Sequence, residues 1–202
     1  MRDRLTKEHV VDAAAAIIDS NGLDGLSMRA LCEKLGVSVT SIYWHVGNKD
    51  ALLDALIERA QASIVAREPS GNTPRQRVRS IAHSVLAAIE IHGELIGIAH
   101  RRGAVAGVFA PVRRAVAVEL SAAGLRAEQL ADATNAVLQF IVGHSLTESI
   151  VARSMSQEHV SALWDGDAPI DAVAAVLLGQ QPNRQRSFDV GLDALITGLL
   201  AL

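Results

Sequence analysis

An all-α chain is the fold class this sequence predicts, and three observations predict it. Half of the 202 residues are hydrophobic, supplied mostly by Ala, Val, Leu and Ile. Apolar positions recur at helical spacing along most of the length. No stretch alternates polar and apolar residues as a half-buried strand would. A chain of this length suits one or two domains and buries a sizeable core. Its net charge of −3 sets up no overall field toward nucleic acid or anionic membrane, so any such binding rests on a local surface. The single Cys32 cannot form an internal disulfide, which fits a reducing compartment. Residues 1–9 are charged and lack the apolar stretch of a signal peptide. The longest apolar region, 104–120, is interrupted by Pro111, Arg113 and Arg114, so no membrane span is predicted and a cytoplasmic location is expected.

The helices follow in order. Val10, Ala14, Ile17 and Ile18 give residues 6–20 an amphipathic stripe that Asn21 and Gly22 end. Ser27 precedes a short helix over 28–35, and Gly36 is its natural stop. Ser38 caps another short helix through His45. Gly47 breaks it, and Asn48 caps a longer helix over 49–67 with Asp50 against its positive end. Residues 68–74, Glu-Pro-Ser-Gly-Asn-Thr-Pro, read as the clearest linker. Helical patterns then cover 75–92, 94–101, 105–123, 127–153, 170–178 and 188–200, punctuated by Gly93, Gly103 and Gly124. Residues 154–167 read as irregular or a short helix, and 179–186 as a polar loop. The organisation expected is a head over 1–48, a connecting helix over 49–67 and a second domain over 68–202.

The head carries the chemistry. Helix, a break at Gly36-Val37-Ser38, then helix is the arithmetic of a helix-turn-helix, whose second helix enters the DNA major groove. In that placement Val39, Thr40 and Ser41 lead toward base edges, where Val and the Thr methyl suit thymine and hydroxyls serve several bases. Tyr43, His45 and Lys49 follow as phosphate partners, and Trp44 braces the helix. Arg29, on the preceding helix, has the fork that reads guanine; Ser27 and Ser38, at the two helix starts, complete the set. A chain with one Tyr, two Trp and three Phe places two of these side by side at Tyr43-Trp44. Over residues 1–50, six Lys/Arg stand against seven Asp/Glu, so the head is not basic. Its affinity must rest on a few placed contacts, helix N-termini and pairing of subunits.

The stretch LSMRALCEKLGVSVTSIYWHVGNKDALLDAL, residues 26–56, resembles the DNA-binding domain of the TetR family of bacterial transcription regulators. The Leu-Gly-Val turn, the Tyr-Trp-His run and the Asn-Lys opening the next helix carry the resemblance. With the helix before it, the matching segment spans about a quarter of the chain; the all-helical remainder is consistent but less diagnostic. The resemblance implies a three-helix head with a C-terminal helical-bundle domain for effector binding and dimerisation. It implies a homodimer on a double-stranded DNA operator with two half-sites, and release by an unknown small-molecule effector. Repression is the expected mode, because the family usually occludes polymerase. Ser38 and Val39 stand where the tetracycline repressor has larger residues, so a different operator is expected.

The second domain is poorer in chemistry. Polar groups suited to an effector pocket are His83, His92, His100, Asn135, Gln139, His144 and Glu148, with Phe109 as an apolar wall. Asn135 and Gln139 share one helix face, as do His144 and Glu148. Each serves equally well as a satisfied core or interface group. His144 and Glu148 could share a cation, and His100-Arg-Arg-Gly103 looks like the segment that supplies the tetracycline repressor's metal-contacting histidine. Residues 61–68 have no histidine to meet the drug, so no metal, cofactor or tetracycline is expected. The alternatives are a regulator without an effector and a helical-bundle metal enzyme. The latter needs Glu-x-x-His pairs, which are missing, and no catalytic residue is assigned. The last helix carries Phe188, Leu192, Leu195 and Leu199 as a continuous stripe widened by Ile196 and Leu200. Gly191 and Gly198 would allow close approach of another helix, and the resemblance implies that this helix pairs with 127–153 across a four-helix dimer interface rather than being covered by its own chain.

Overall fold

The computed structural model describes residues 5–65, 68–154, 171–178, 180 and 183–201. Among them every regular element is helical, as the composition requires. The helices are α1 Lys7–Asn21, α2 Met28–Leu35, α3 Val39–Val46, α4 Lys49–Val65, α5 Pro74–Arg101, α6 Val105–Ala122, α7 Ala127–Ser154, α8 Ala172–Leu178 and α9 Arg184–Leu199. A short 3₁₀ turn, Leu23–Gly25, follows α1. The ends lie where the capping residues put them. Thr6 Oγ1 accepts from His9 N–H at 3.2 Å to start α1, and Asn48 Oδ1 accepts from Ala51 N–H at 2.8 Å to start α4. The expected interval 154–167 falls, past Ser154, outside the described residues.

The break expected at Gly93 falls one residue earlier: the 28 residues of α5 are two helical stretches joined across a kink at His92, φ −113°, ψ 19°, where the backbone is not helical. Pro111 likewise sits inside α6, where its missing N–H leaves one turn without its ladder bond. By length and composition α5 is apolar enough to cross a bilayer, a feature absent from the reading of 104–120. Its Val78, Ala82, Val85, Leu86, Leu95, Ile98 and Ala99 are buried in the protein.

The described residues form two compact units. One holds the chain up to Glu68 together with Ala87–Val112; the other holds Pro69–Leu86 and the chain from Arg113 onward. In the first, Val10, Ala14, Ile17, Leu31, Ile42, Val46, Leu52 and Leu56 pack in one cluster with Leu95, Ile98, Ala99 and Val108. Apolar area, not chain order, decides this grouping: a three-helix head is small, and the α5–α6 corner enlarges its core. In the second unit Val116, Leu120, Val137, Ile141, Phe188, Leu192 and Ile196 are fully or nearly fully buried. The stripe on α9 is therefore covered by its own chain, contrary to expectation. Phe188, Leu192 and Ile196 form the buried line, while Leu195 and Leu199 lie only half-buried at its flank.

Candidate nucleic-acid interface

The local sequence builds the interface from the caps outward. Ser27 Oγ accepts from Ala30 N–H at 3.0 Å, fixing the start of α2. Gly36 ends α2 at φ 64°, ψ 35°, a left-handed conformation that a side chain would strain, and its N–H reaches Cys32 O at 2.9 Å. Two residues later Ser38 Oγ accepts from Ser41 N–H at 3.3 Å and starts α3. Leu31, Ile42 and Val46 bury on the inner side and anchor both helices. What remains outward on α3 is Val39, Thr40, Tyr43 and Trp44, at positions i, i+1, i+4 and i+5 of one face. Lys49 is exposed at the head of α4, immediately beyond.

Two expected residues sit differently. Trp44 is turned outward rather than into the helix packing: it is 79% exposed, and its ring lies perpendicular to that of His45, centroid to centroid 4.9 Å. Ser41 is half-buried with its hydroxyl 2.9 Å from that of Ser38, so it is tied into the cap rather than turned outward. Arg29 is extended on the surface and pairs with Glu33 one turn on, Nε to Oε1 3.0 Å. An exposed pair of that kind contributes only about 0.3–0.5 kcal/mol, so it opens readily for another acceptor.

The acid excess of the head is met by cations from outside residues 1–50. Arg59 pairs with Asp12, and Arg102, in the turn after α5, pairs with both Asp50 and Asp54. Glu94, on the last turns of α5, accepts from Leu23 N–H at 2.7 Å. None of these was singled out from the sequence, because each partner is distant in the chain; Arg102 and Asp50 are 52 positions apart.

The candidate effector residues fall into both units. His83, His144 and Glu148 belong to the second, where His83 and His144 meet the buried Phe188. The ring centroids of His83 and Phe188 are 5.4 Å apart, those of His144 and Phe188 5.1 Å, and Phe140 adds a third ring 5.5 Å from Phe188. His83 Nε2 lies 2.9 Å from Asp189 Oδ1, and Glu148 Oε2 takes Arg184 Nε at 2.7 Å. Asn135 is half-buried and Gln139 exposed on α7. His100 and Phe109 belong to the first unit, with His100 exposed and Phe109 packed on its core. His92 stands at the kink of α5. Phe140 and Phe188 were missed as cluster members because an apolar ring on a helix reads simply as core. Among the described residues no three metal-ligating side chains gather.

Comparison with known proteins settles the family. Residues 10–56 match the model for bacterial regulatory proteins of the tetR family, and residues 68–202 match the tetracyclin repressor-like C-terminal domain. The chain belongs to the TetR family. It is 30% identical to the tetracycline repressor protein class D of Escherichia coli, over 96% of this chain and 89% of that one. It is 29% identical to an HTH-type transcriptional regulator of Saccharopolyspora erythraea, over 98% and 85% of the two chains. Among solved structures it resembles ActR of Streptomyces coelicolor in complex with actinorhodin, at TM-score 0.69 and 26% identity, covering 98% of each chain. The expected helix-turn-helix head, helical C-terminal domain and role in transcription regulation are thereby borne out. In this TetR-family regulator α2 and α3 lie within the matched N-terminal segment and form its helix-turn-helix.

Proposed function

We propose that the chain is a cytoplasmic, ligand-responsive repressor acting as a homodimer on a two-half-site operator. The observation that carries the reading is the outward face of α3. Val39, Thr40, Tyr43 and Trp44 expose apolar, hydroxyl and aromatic groups that have no use in the chain's own core. Thr40 and Val39 would read base edges, while Tyr43, His45 and Lys49 would take phosphates. Trp44, freed from any bracing role, would add contact on the same face. Ser27 and Ser38 would support by capping, Ser41 by its tie to Ser38, and Arg29 would exchange Glu33 for a guanine.

A class D tetracycline repressor and an actinorhodin-bound ActR among its likenesses support a repressor that answers to a small molecule. The half-buried His83, Phe140 and His144 around the buried Phe188 would supply the aromatic and imidazole surface such a ligand needs. Pairing of subunits is supported by what α7 and α9 leave uncovered. Leu146 is 59% exposed and Val190 62%, and a side chain at Gly143 or Gly198 would meet open space. Selection of bound duplexes from genomic fragments, repeated with small molecules added, tests the whole reading. Recovery of palindromic sites that a small molecule releases is the expected result. Failure to enrich any sequence over random DNA would overturn it.

A further inference from the structure

Arg102 lies in the turn between α5 and α6 with its guanidinium across the first turns of α4. Its Nη2 meets the Asp50 carboxylate, and its Nη1 lies 2.7 Å from Asp54 Oδ1 and 3.4 Å from the Asp50 carbonyl oxygen. One planar fork thus takes three acceptors on one end of one helix, a geometry that lysine cannot reproduce. Its partners stand four residues apart, so without the cation two like charges would share a helix face. Arg102 is also the more enclosed party, its side chain 30% exposed against 73% and 63% for the aspartates. The end of α4 that it grips opens with Lys49, and only Gly47 and Asn48 separate it from α3. Glu94, on the same corner of the chain, holds the Leu23 N–H before α2.

We infer that Arg102 is a positioning residue for DNA binding. By gripping Asp50 and Asp54 it fixes the first turn of α4, and through that turn the placement of Lys49 and the end of α3 against the phosphates. The inference rests on α3 and Lys49 being the DNA-contacting surface. Arg102 itself does not touch DNA; both of its terminal nitrogens are turned to the aspartates.

The test is a mutant cycle on the full chain, read by fluorescence anisotropy with a labelled random-sequence duplex pool at low salt. Arg102→Gln should weaken binding about tenfold, because the loss of charge-assisted bonds frees the turn. In an Asp50→Asn/Asp54→Asn background the same change should cost about twofold or less, since little remains to grip. An equal loss in both backgrounds would mean that Arg102 acts on DNA directly and would overturn the inference. Melting followed by circular dichroism accompanies each variant, and affinity is measured well below the transition. A merely structural Arg102 lowers the melting temperature and leaves that affinity unchanged, which also overturns it. Should Arg102→Gln not fold, Arg102→Lys keeps the charge without the fork; a loss of about threefold is expected, and native affinity refutes the role. Failure of the underlying reading is separable, because Lys49→Ala would then leave binding to the pool unaltered.

Discussion

Tyr43 and Trp44 adjoin in the chain and share an exposed face, yet a rule of thumb that aromatics are core would bury both. Ile42, beside them, is fully buried, so α3 sorts its neighbours by face rather than by hydrophobicity. Trp44→Ala should therefore leave stability within about 0.5 kcal/mol in urea unfolding, as an exposed side chain does. The same variant should lose measurable affinity for a selected duplex; unaltered affinity would remove Trp44 from the interface. Lys49→Ala should weaken binding to all sequences and lower the salt slope by about one, checked by titrations across salt concentrations. Arg29→Ala should behave differently, costing about 1–3 kcal/mol and relaxing preference at one base pair in a panel of single-base variants. The residue scale is where the sequence was most legible for caps and least for exposure. Ser27, Ser38 and Asn48 act within three residues of themselves, and Gly36 ends its own helix. The outward turn of Trp44 and the tying of Ser41 to Ser38 depend on what Ile42, Val46 and Leu31 bury against.

At the scale of elements, helix existence followed from periodicity, while partnership did not. The pattern over 75–101 shows two helical stretches around Gly93, and the structure joins two such stretches across a kink at His92. Nothing local announces that the far half of α5 and the near half of α6 pack with α1 to α4, because that choice is made by Leu95, Ile98, Ala99 and Val108 finding a head too small to close its own core. The α7–α9 pairing offers a direct check. A Cβ at Gly191 would stand 2.7 Å from Cζ of Phe140, so this glycine admits the ring that touches Phe188. Gly191→Ala should destabilise by about 1–3 kcal/mol through overpacking, despite the better helix propensity of alanine. Gly107→Ala on α6 meets open space and should be neutral or stabilising by up to about 1 kcal/mol. Chemical denaturation of both variants beside the native chain reads the contrast, and equal effects would refute the packing account.

On the scale of the whole molecule, the burial of the last helix changes which experiment is informative. Removing it would strip Phe188, Leu192 and Ile196 from the second unit's own core, at about 1.5–3 kcal/mol for each buried side chain, and would unfold that unit instead of releasing monomers. The proposed pairing surface must lie on the other faces of α7 and α9, where Leu146 and Val190 are exposed and Gly143 and Gly198 leave room for an approaching helix. A two-fold contact there is isologous, so each substitution enters the interface twice. An obligate contact would bury on the order of 2,000 Å² or more, with little tolerance for unpaired charge at its centre. Leu146→Glu/Val190→Glu is accordingly expected to sediment as a folded monomer at micromolar concentration, with native helicity and a melting transition intact. Its affinity for a palindromic site should fall toward that of a single half-site, while the α3 surface itself is untouched. A native chain that sediments as a monomer yet holds a palindrome tightly would refute the dimer. A double variant that still sediments as a pair would instead refute this pairing surface, since no charge could then be standing in the contact.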